Sequence, residues 1–124
     1  MIPNYWKLFV DSHRLIDSHI EIPEESDLSE LGCSLQIFSE SKSVDEANNF
    51  YPGVAVKKHG FIPVACCLIG SGDPYFINFN DGEFGSLYRI YHDGEMIDDD
   101  NYNLDDAVDV VLKDYRDLLK FLKV

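Results

Sequence analysis

From Phe61 to Ile69 the chain is almost wholly apolar, and its Ile, Val and Cys content at that length predicts a buried β-strand rather than a helix. Tyr75-Phe76-Ile77-Asn78-Phe79 alternates, which places Tyr75, Ile77 and Phe79 on one face. Between these runs, Gly70-Ser71-Gly72-Asp73-Pro74 is a concentrated turn signal. Asp81-Gly82 and Gly85 turn the chain again before a third strand, Leu87 to His92. On that strand Tyr88, Ile90 and His92 share one face, and Leu87, Arg89 and Tyr91 the other. Three strands joined by short glycine-containing turns predict an antiparallel meander.

The flanking segments carry helical periodicity. Tyr5, Trp6, Phe9, Val10 and Ile16, with His13 on the same side, predict an amphipathic helix from Tyr5 to Ile16, opening after Pro3-Asn4. The acidic stretch from Glu21 to Glu30 predicts a loop or a short exposed helix. Leu35 to Phe38 predicts a short strand. Ser43-Val44-Asp45-Glu46 matches a capping box, opening a brief helix that Pro52-Gly53 closes near Tyr51. Asn103 predicts an N-cap, with Asp105 and Asp106 in the first turn. Val108, Val111, Leu112, Tyr115, Leu118, Leu119 and Leu122 then predict a long helix over 105–122. The expected fold is a single α+β domain over residues 1–124: a central antiparallel sheet flanked by helices, with the amphipathic C-terminal helix packed on it.

Composition narrows the function. The 124 residues include 23 acidic and ten basic side chains, a formal charge of −13, with 45% hydrophobic and 13% aromatic residues. The apolar content excludes a disordered or low-complexity chain. The charge argues against a direct nucleic-acid binder, since nothing neutralises phosphates, and is read either as simple solubility or as attraction for a basic protein partner. No run approaches the ~18 apolar residues of a membrane helix, and no basic-then-apolar export signal opens the chain, so a cytoplasmic protein is expected. Cys33, Cys66 and Cys67 lack a CxxC spacing and read as small core residues in a reducing compartment.

Catalytic and ligand motifs fail on spacing. The Gly70-Ser71-Gly72 run lacks the third glycine and the following helix of a dinucleotide loop. A calcium loop starting at Asp99 has Leu104 where Gly is needed and Val110 where Glu is needed. His13, His19, His59 and His92 have no zinc spacing, and Ser71 lies in no GxSxG elbow. A hydrolase reading requires Cys66 or Cys67 beside His92. No cofactor, metal or catalytic residue is therefore expected. What stands out is seven carboxylates in the fourteen residues from Asp93 to Asp106. They repel one another with no evident gain for the fold, which makes Asp93, Glu95, Asp98, Asp99, Asp100 and Tyr102 the expected partner-binding surface. Tyr91 is a further aromatic anchor, while Tyr88 and Tyr115 are expected in the core.

The order of signals resembles the SUKH superfamily, which includes bacterial immunity proteins and Smi/Knr-type fungal cell-wall regulators. It runs from Leu35-Gln36-Ile37-Phe38 through Val44-Asp45-Glu46, Asn49 to Pro52 and Phe61-Ile62-Pro63-Val64-Ala65. It continues through Gly70 to Asn78 and Gly85 to Asp93 into the final apolar segment, covering roughly residues 33–122. The family's turn and cleft positions correspond here to Gly70, Gly72, Asp73, Asp81 and His92. The resemblance implies an α+β fold without enzymatic activity, and an antidote that blocks a toxin, such as a nuclease, by direct contact. It also admits a regulatory module that binds an endogenous protein. The expected partner is thus a basic toxin domain or an endogenous protein, with no nucleic acid and no membrane, and the chain is a monomer or weak homodimer.

Overall fold

Six antiparallel strands pair in the order β1-β2-β3-β4-β5-β8, a meander curled into a half-barrel with helices around it. They are β1 (His19–Ile22), β2 (Cys33–Ile37), β3 (Phe61–Cys67), β4 (Tyr75–Asn78), β5 (Leu87–Ile90) and β8 (Val108–Leu112). A computed structural model describes residues 2–69, 73–91, 96–98 and 101–122. β6 (Met96–Asp98) and β7 (Asn101–Tyr102) pair separately. The α+β class and the meander through β3, β4 and β5 are as expected from the sequence.

Both faces of the sheet are covered. Tyr75 and Ile77 of β4 point into the larger core, with Leu35, Leu87 and Val111 from neighbouring strands. Phe76, between them, points to the opposite face and packs with Phe61, Ile90 and Ala107. The larger core is closed by α1 (Asn4–Ser12), whose Trp6 and Phe9 rings sit 5.2 and 5.1 Å from that of Tyr115. The second is closed by α3 (Gly53–Val56), a single turn that contributes Ala55 and Val56. Pro63 has no N–H for the ladder, and the β3–β4 register shifts between Pro63 and Ala65.

The largest correction is at the C-terminus, where no long amphipathic helix forms. One turn, α4 (Leu104–Ala107), is capped by Asn103, whose side chain accepts from the Asp105 N–H. The chain then becomes strand β8, with Tyr88 opposite Val110 and Ile90 opposite Val108. A 3-10 segment, Tyr115–Phe121, follows. Val108, Val110 and Val111 are β-branched and favour the strand, while Tyr115, Leu118 and Phe121 repeat at the three-residue period of a 3-10 turn. Asp109 consequently accepts the hydroxyl of Tyr91, which follows β5.

Smaller corrections follow the same physics. The acidic stretch begins as strand β1, its burial alternating outward at His19 and Glu21 and inward at Ile20 and Ile22, and then forms the short exposed helix expected, a 3-10 turn over Glu24–Ser26. The second helix, α2 (Glu40–Asn49), opens at Ser39, whose hydroxyl accepts from the Lys42 N–H, and Ser43 lies buried inside it. α1 ends at Ser12, and Ile16 falls outside it. Phe79 leaves the strand for a 3-10 segment, Phe79–Phe84.

Candidate functional site

Among the described residues, buried polar side chains gather at the loop between β1 and β2. Asp27 is buried there; its Oδ1 accepts from the backbone N–H and hydroxyl of Ser29 at 2.7 and 2.6 Å, and its Oδ2 accepts from the Cys33 thiol at 3.1 Å. Arg89 reaches in from β5. Its Nη2 donates to the Gly32 carbonyl at 2.8 Å, the Cys33 sulfur at 3.2 Å and the Tyr75 hydroxyl at 3.1 Å, and lies 3.7 Å from Asp27 Oδ2. Burial pushes the Cys33 thiol up to about 11, with hydrogen bonds to Tyr75 and Asp27 acting in opposite directions. A protonated thiol is a weak nucleophile at neutral pH, so this cluster is suited to holding the loop rather than to covalent chemistry.

What the cluster holds is a surface. Leu28 donates its N–H to the Val111 carbonyl at 2.9 Å, while Arg89 fixes the carbonyl of Gly32. Gly32 has φ +74, and a Cβ there would stand 3.2 Å from Glu24 Cγ, so the loop lies close against Glu24. Leu68 donates to the Ser34 carbonyl at 2.8 Å, which brings the end of β3 alongside the start of β2. The result is an open groove of about 480 Å³ floored by Ile22, Cys33 and Ser34 and walled by Pro23, Leu31 and Ile69, with Glu21 and Glu24 at its rim. Leu31 is 53% and Ile69 67% exposed. His19 stands on the strand bearing Glu21, with Nε2 2.7 Å from Ser34 Oγ and 3.7 Å from Glu21 Oε1. Among the described residues, no lysine or arginine lines this groove. Carboxylates beside exposed aliphatic side chains suit a segment that is both basic and apolar.

Of the residues singled out from the sequence, Asp73, Asp81, Asp98 and Tyr102 are among those described. Tyr102 is a correction: it is only 5% exposed and packs in the second core with Ile90 and Ala107, so its ring is no surface anchor. Asp98 belongs to β6, its backbone opposite Asn101. Asp93, Glu95, Asp99 and Asp100 lie outside the described residues, as do Gly70, Gly72 and His92. The Cys66–His92 and Cys67–His92 distances therefore lie outside them too. Cys66 and Cys67 themselves are half-buried on β3, opposite Gln36 and Leu35. Asp73 is buried. Asp81 accepts the Tyr88 hydroxyl, and burial together with that carboxylate raises Tyr88 to about 12. Tyr91 is half-buried and donates to Asp109 at 2.6 Å, while Tyr115 is in the core as expected.

Leu31, Ile69, Glu21 and Glu24 were not singled out from the sequence. Leu31 follows Glu30 in the acidic stretch, whereas Ile69 ends an apolar run with no acid beside it. Among the described residues no group of three or more His, Cys, Asp or Glu is placed to hold a metal ion, and no helix is long and apolar enough to cross a membrane. Compared with known proteins, the chain matches no family model, no curated protein and no solved structure.

Proposed function

We propose that the protein is a non-catalytic binding module that captures a basic protein partner, and that it serves as a SUKH-type immunity protein neutralising a toxin by direct contact. The observation that carries this reading is the groove in which exposed Leu31 and Ile69 adjoin Glu21 and Glu24. The two aliphatic side chains supply contact area that desolvation makes favourable, and the carboxylates select cationic neighbours. The charge of −13 adds long-range attraction, which raises association toward about 10⁸ M⁻¹s⁻¹ at low salt. The acidic run Asp93, Glu95, Asp98, Asp99 and Asp100 contributes to that attraction. The order of motifs from Leu35 to Asp93 supports the family half of the reading, and the protonated Cys33 thiol supports its non-catalytic half.

Affinity capture from the producing cells tests the proposal. The unaltered chain is expected to retain a basic protein that Glu21→Lys/Glu24→Lys and Leu31→Ser/Ile69→Ser variants lose, all remaining folded by circular dichroism. Asn at Asp98, Asp99 and Asp100 is expected to slow association and flatten its salt dependence. A toxin encoded beside this gene as the captured protein supports immunity, and an endogenous housekeeping protein supports the regulatory reading instead. Equal retention by both groove variants removes this surface from the interface.

A further inference from the structure

Asp81 is exposed in the 3-10 segment Phe79–Phe84, which joins β4 to β5. Gly82, the next residue, breaks that segment with φ +73 and ψ −162, a backbone region open essentially to glycine alone. A Cβ added at Gly82 would meet no atom within 4 Å, whereas one at Gly85 would stand 2.6 Å from Asp81 Cβ. The two glycines therefore leave the Asp81 side chain room to fold back on its own main chain. The Tyr88 hydroxyl donates to Asp81 Oδ2, and the Tyr88 ring is held edge-on to Phe61 at 5.3 Å.

We propose that Asp81–Gly82 is a site of spontaneous covalent modification, where the aspartyl link rearranges through a cyclic imide to an isoaspartyl link, with Tyr88 delivering a proton to the departing oxygen. In the first step the Gly82 amide nitrogen loses its proton and bonds to Asp81 Cγ, while the Cγ–Oδ2 bond breaks. Oδ2 leaves as water, carrying the amide proton and a second proton passed through the Tyr88 hydroxyl, which solvent replaces. Burial and the Asp81 carboxylate raise that hydroxyl to about 12, so it remains a donor at neutral pH. Water then adds to the imide. Opening at Cγ restores aspartate. Opening at the Asp81 carbonyl carbon instead leaves the main chain running through Cβ and Cγ, with the former backbone carbonyl as a free carboxylate. One water is lost and one regained, the borrowed proton returns to solvent as the carboxylate forms, and nothing is oxidised or reduced. The extra main-chain carbon falls in a turn whose Gly85 carbonyl accepts from the Tyr115 N–H at 3.0 Å, and the carboxylate leaves Tyr88. The rearrangement thus loosens the tie between the β4–β5 turn and the C-terminal segment, and creates a carboxyl group of the class that isoaspartyl methyltransferases esterify.

Incubation of the full chain at neutral pH, followed by peptide mapping with electron-transfer fragmentation, tests this, since the two isomers share a mass and differ in their fragments. Isoaspartate is expected at position 81 in the folded chain, formed at least as fast as in urea. Methyl transfer from S-adenosylmethionine by an isoaspartyl methyltransferase should rise in step. Asp81→Glu keeps a carboxylate but requires a larger imide ring, and should abolish the signal at this position. Tyr88→Phe keeps the ring on Phe61; it should slow the reaction several-fold in the folded chain and leave the rate in urea unchanged. Isoaspartate confined to the urea sample, or found only at Asp93-Gly94, the chain's other Asp-Gly pair, overturns the proposal. An unchanged or faster rate in folded Tyr88→Phe overturns it too, by making the hydroxyl a restraint rather than a proton donor. The readout needs no protein partner, so it stands or falls separately from the capture experiment.

Discussion

Arg89 Nη2 lies 3.7 Å from Asp27 Oδ2, and both side chains are withdrawn from water, 6% and 0% exposed. A buried ion pair is worth little by itself, because desolvating two charges offsets most of their attraction. Here the offset is made up by neighbours: Ser29 supplies two donors to Asp27, while Gly32, Cys33 and Tyr75 receive the guanidinium. The pair ties the β1–β2 loop to β5, and the acid-rimmed groove is the outer surface of that loop.

Arg89→Met should therefore cost about 3–5 kcal/mol, because it leaves Asp27 buried without its cation. Arg89→Met combined with Asp27→Asn should lose less than the sum of the two single changes, since the stranded charge is gone. Urea unfolding of the four proteins measures the coupling. Strictly additive losses would show that the two side chains stabilise the fold independently.

Cys33 gives the cluster a pH signature. Its thiol is raised from 9.0 to about 11 by burial, with the Asp27 hydrogen bond pushing the same way. Between those values the unfolded chain has released this proton and the folded chain retains it, so the unfolded state binds fewer protons and stability falls as pH rises. The loss should approach roughly 2–3 kcal/mol by the end of that window, and Cys33→Ala should flatten the decline. Tyr88 and Tyr91, each raised to about 12 by burial and a carboxylate partner, extend the decline upward. Below this range, Cys33 should alkylate at least several-fold more slowly in the folded protein than in urea, because burial both keeps the thiol protonated and shields the sulfur. Peptide mapping after iodoacetamide treatment reads the ratio, and equal rates would contradict a buried, protonated thiol.

The same contrast between local and distant causes explains what was legible beforehand. β3, β4 and β5 announce themselves because each is a short apolar or alternating run bounded by Gly, Asp or Pro. β1 was hidden: only Ile20 and Ile22 point inward, and Glu21 and His19 make the stretch look like a solvated loop. The C-terminal segment misled because Val111, Leu112, Tyr115 and Leu118 happen to fall at helical spacing while belonging to a strand and a 3-10 turn. The groove was least legible. Glu21, Leu31 and Ile69 come from three segments that meet only through the register of β1, β2 and β3. The burial of Tyr102 likewise depends on contacts with distant residues such as Ile90 and Ala107.

Gly60 offers a test of the turn that leads into β3. Its φ is +89, and a Cβ would fall 2.7 Å from both Asn78 Oδ1 and Asn80 Nδ2. Gly60→Ala should cost about 1–2 kcal/mol from the left-handed backbone alone, and more once the two asparagines are displaced from the His59 carbonyl. The melting temperature measures the total, and the side-chain amide resonances of Asn78 and Asn80 should shift with it. An unchanged melting temperature would mean that this turn adopts a different backbone.

Val110 separates a strand from a helix by the sign of one substitution. It lies in β8 at the edge of the sheet, opposite Tyr88, and is 37% exposed, so changing it disturbs little packing. In a helix, Val→Ala at such a site is stabilising, by a few tenths of a kcal/mol, because alanine loses no rotamer freedom against the preceding turn. In a strand the same change removes a β-branched side chain from the pleated surface and the cross-strand contact with Tyr88, costing up to about 1 kcal/mol. Val110→Thr keeps the branching and should be close to neutral in the strand. The expected order of stability is therefore wild type, then Thr close behind, then Ala clearly lower, measured as urea midpoints at constant slope. A more stable Ala variant would return Val108–Leu112 to the helix that its spacing suggests. It would also break the β5–β8 pairing that leaves the Val111 carbonyl facing Leu28, and with it one of the two anchors of the acid-rimmed groove.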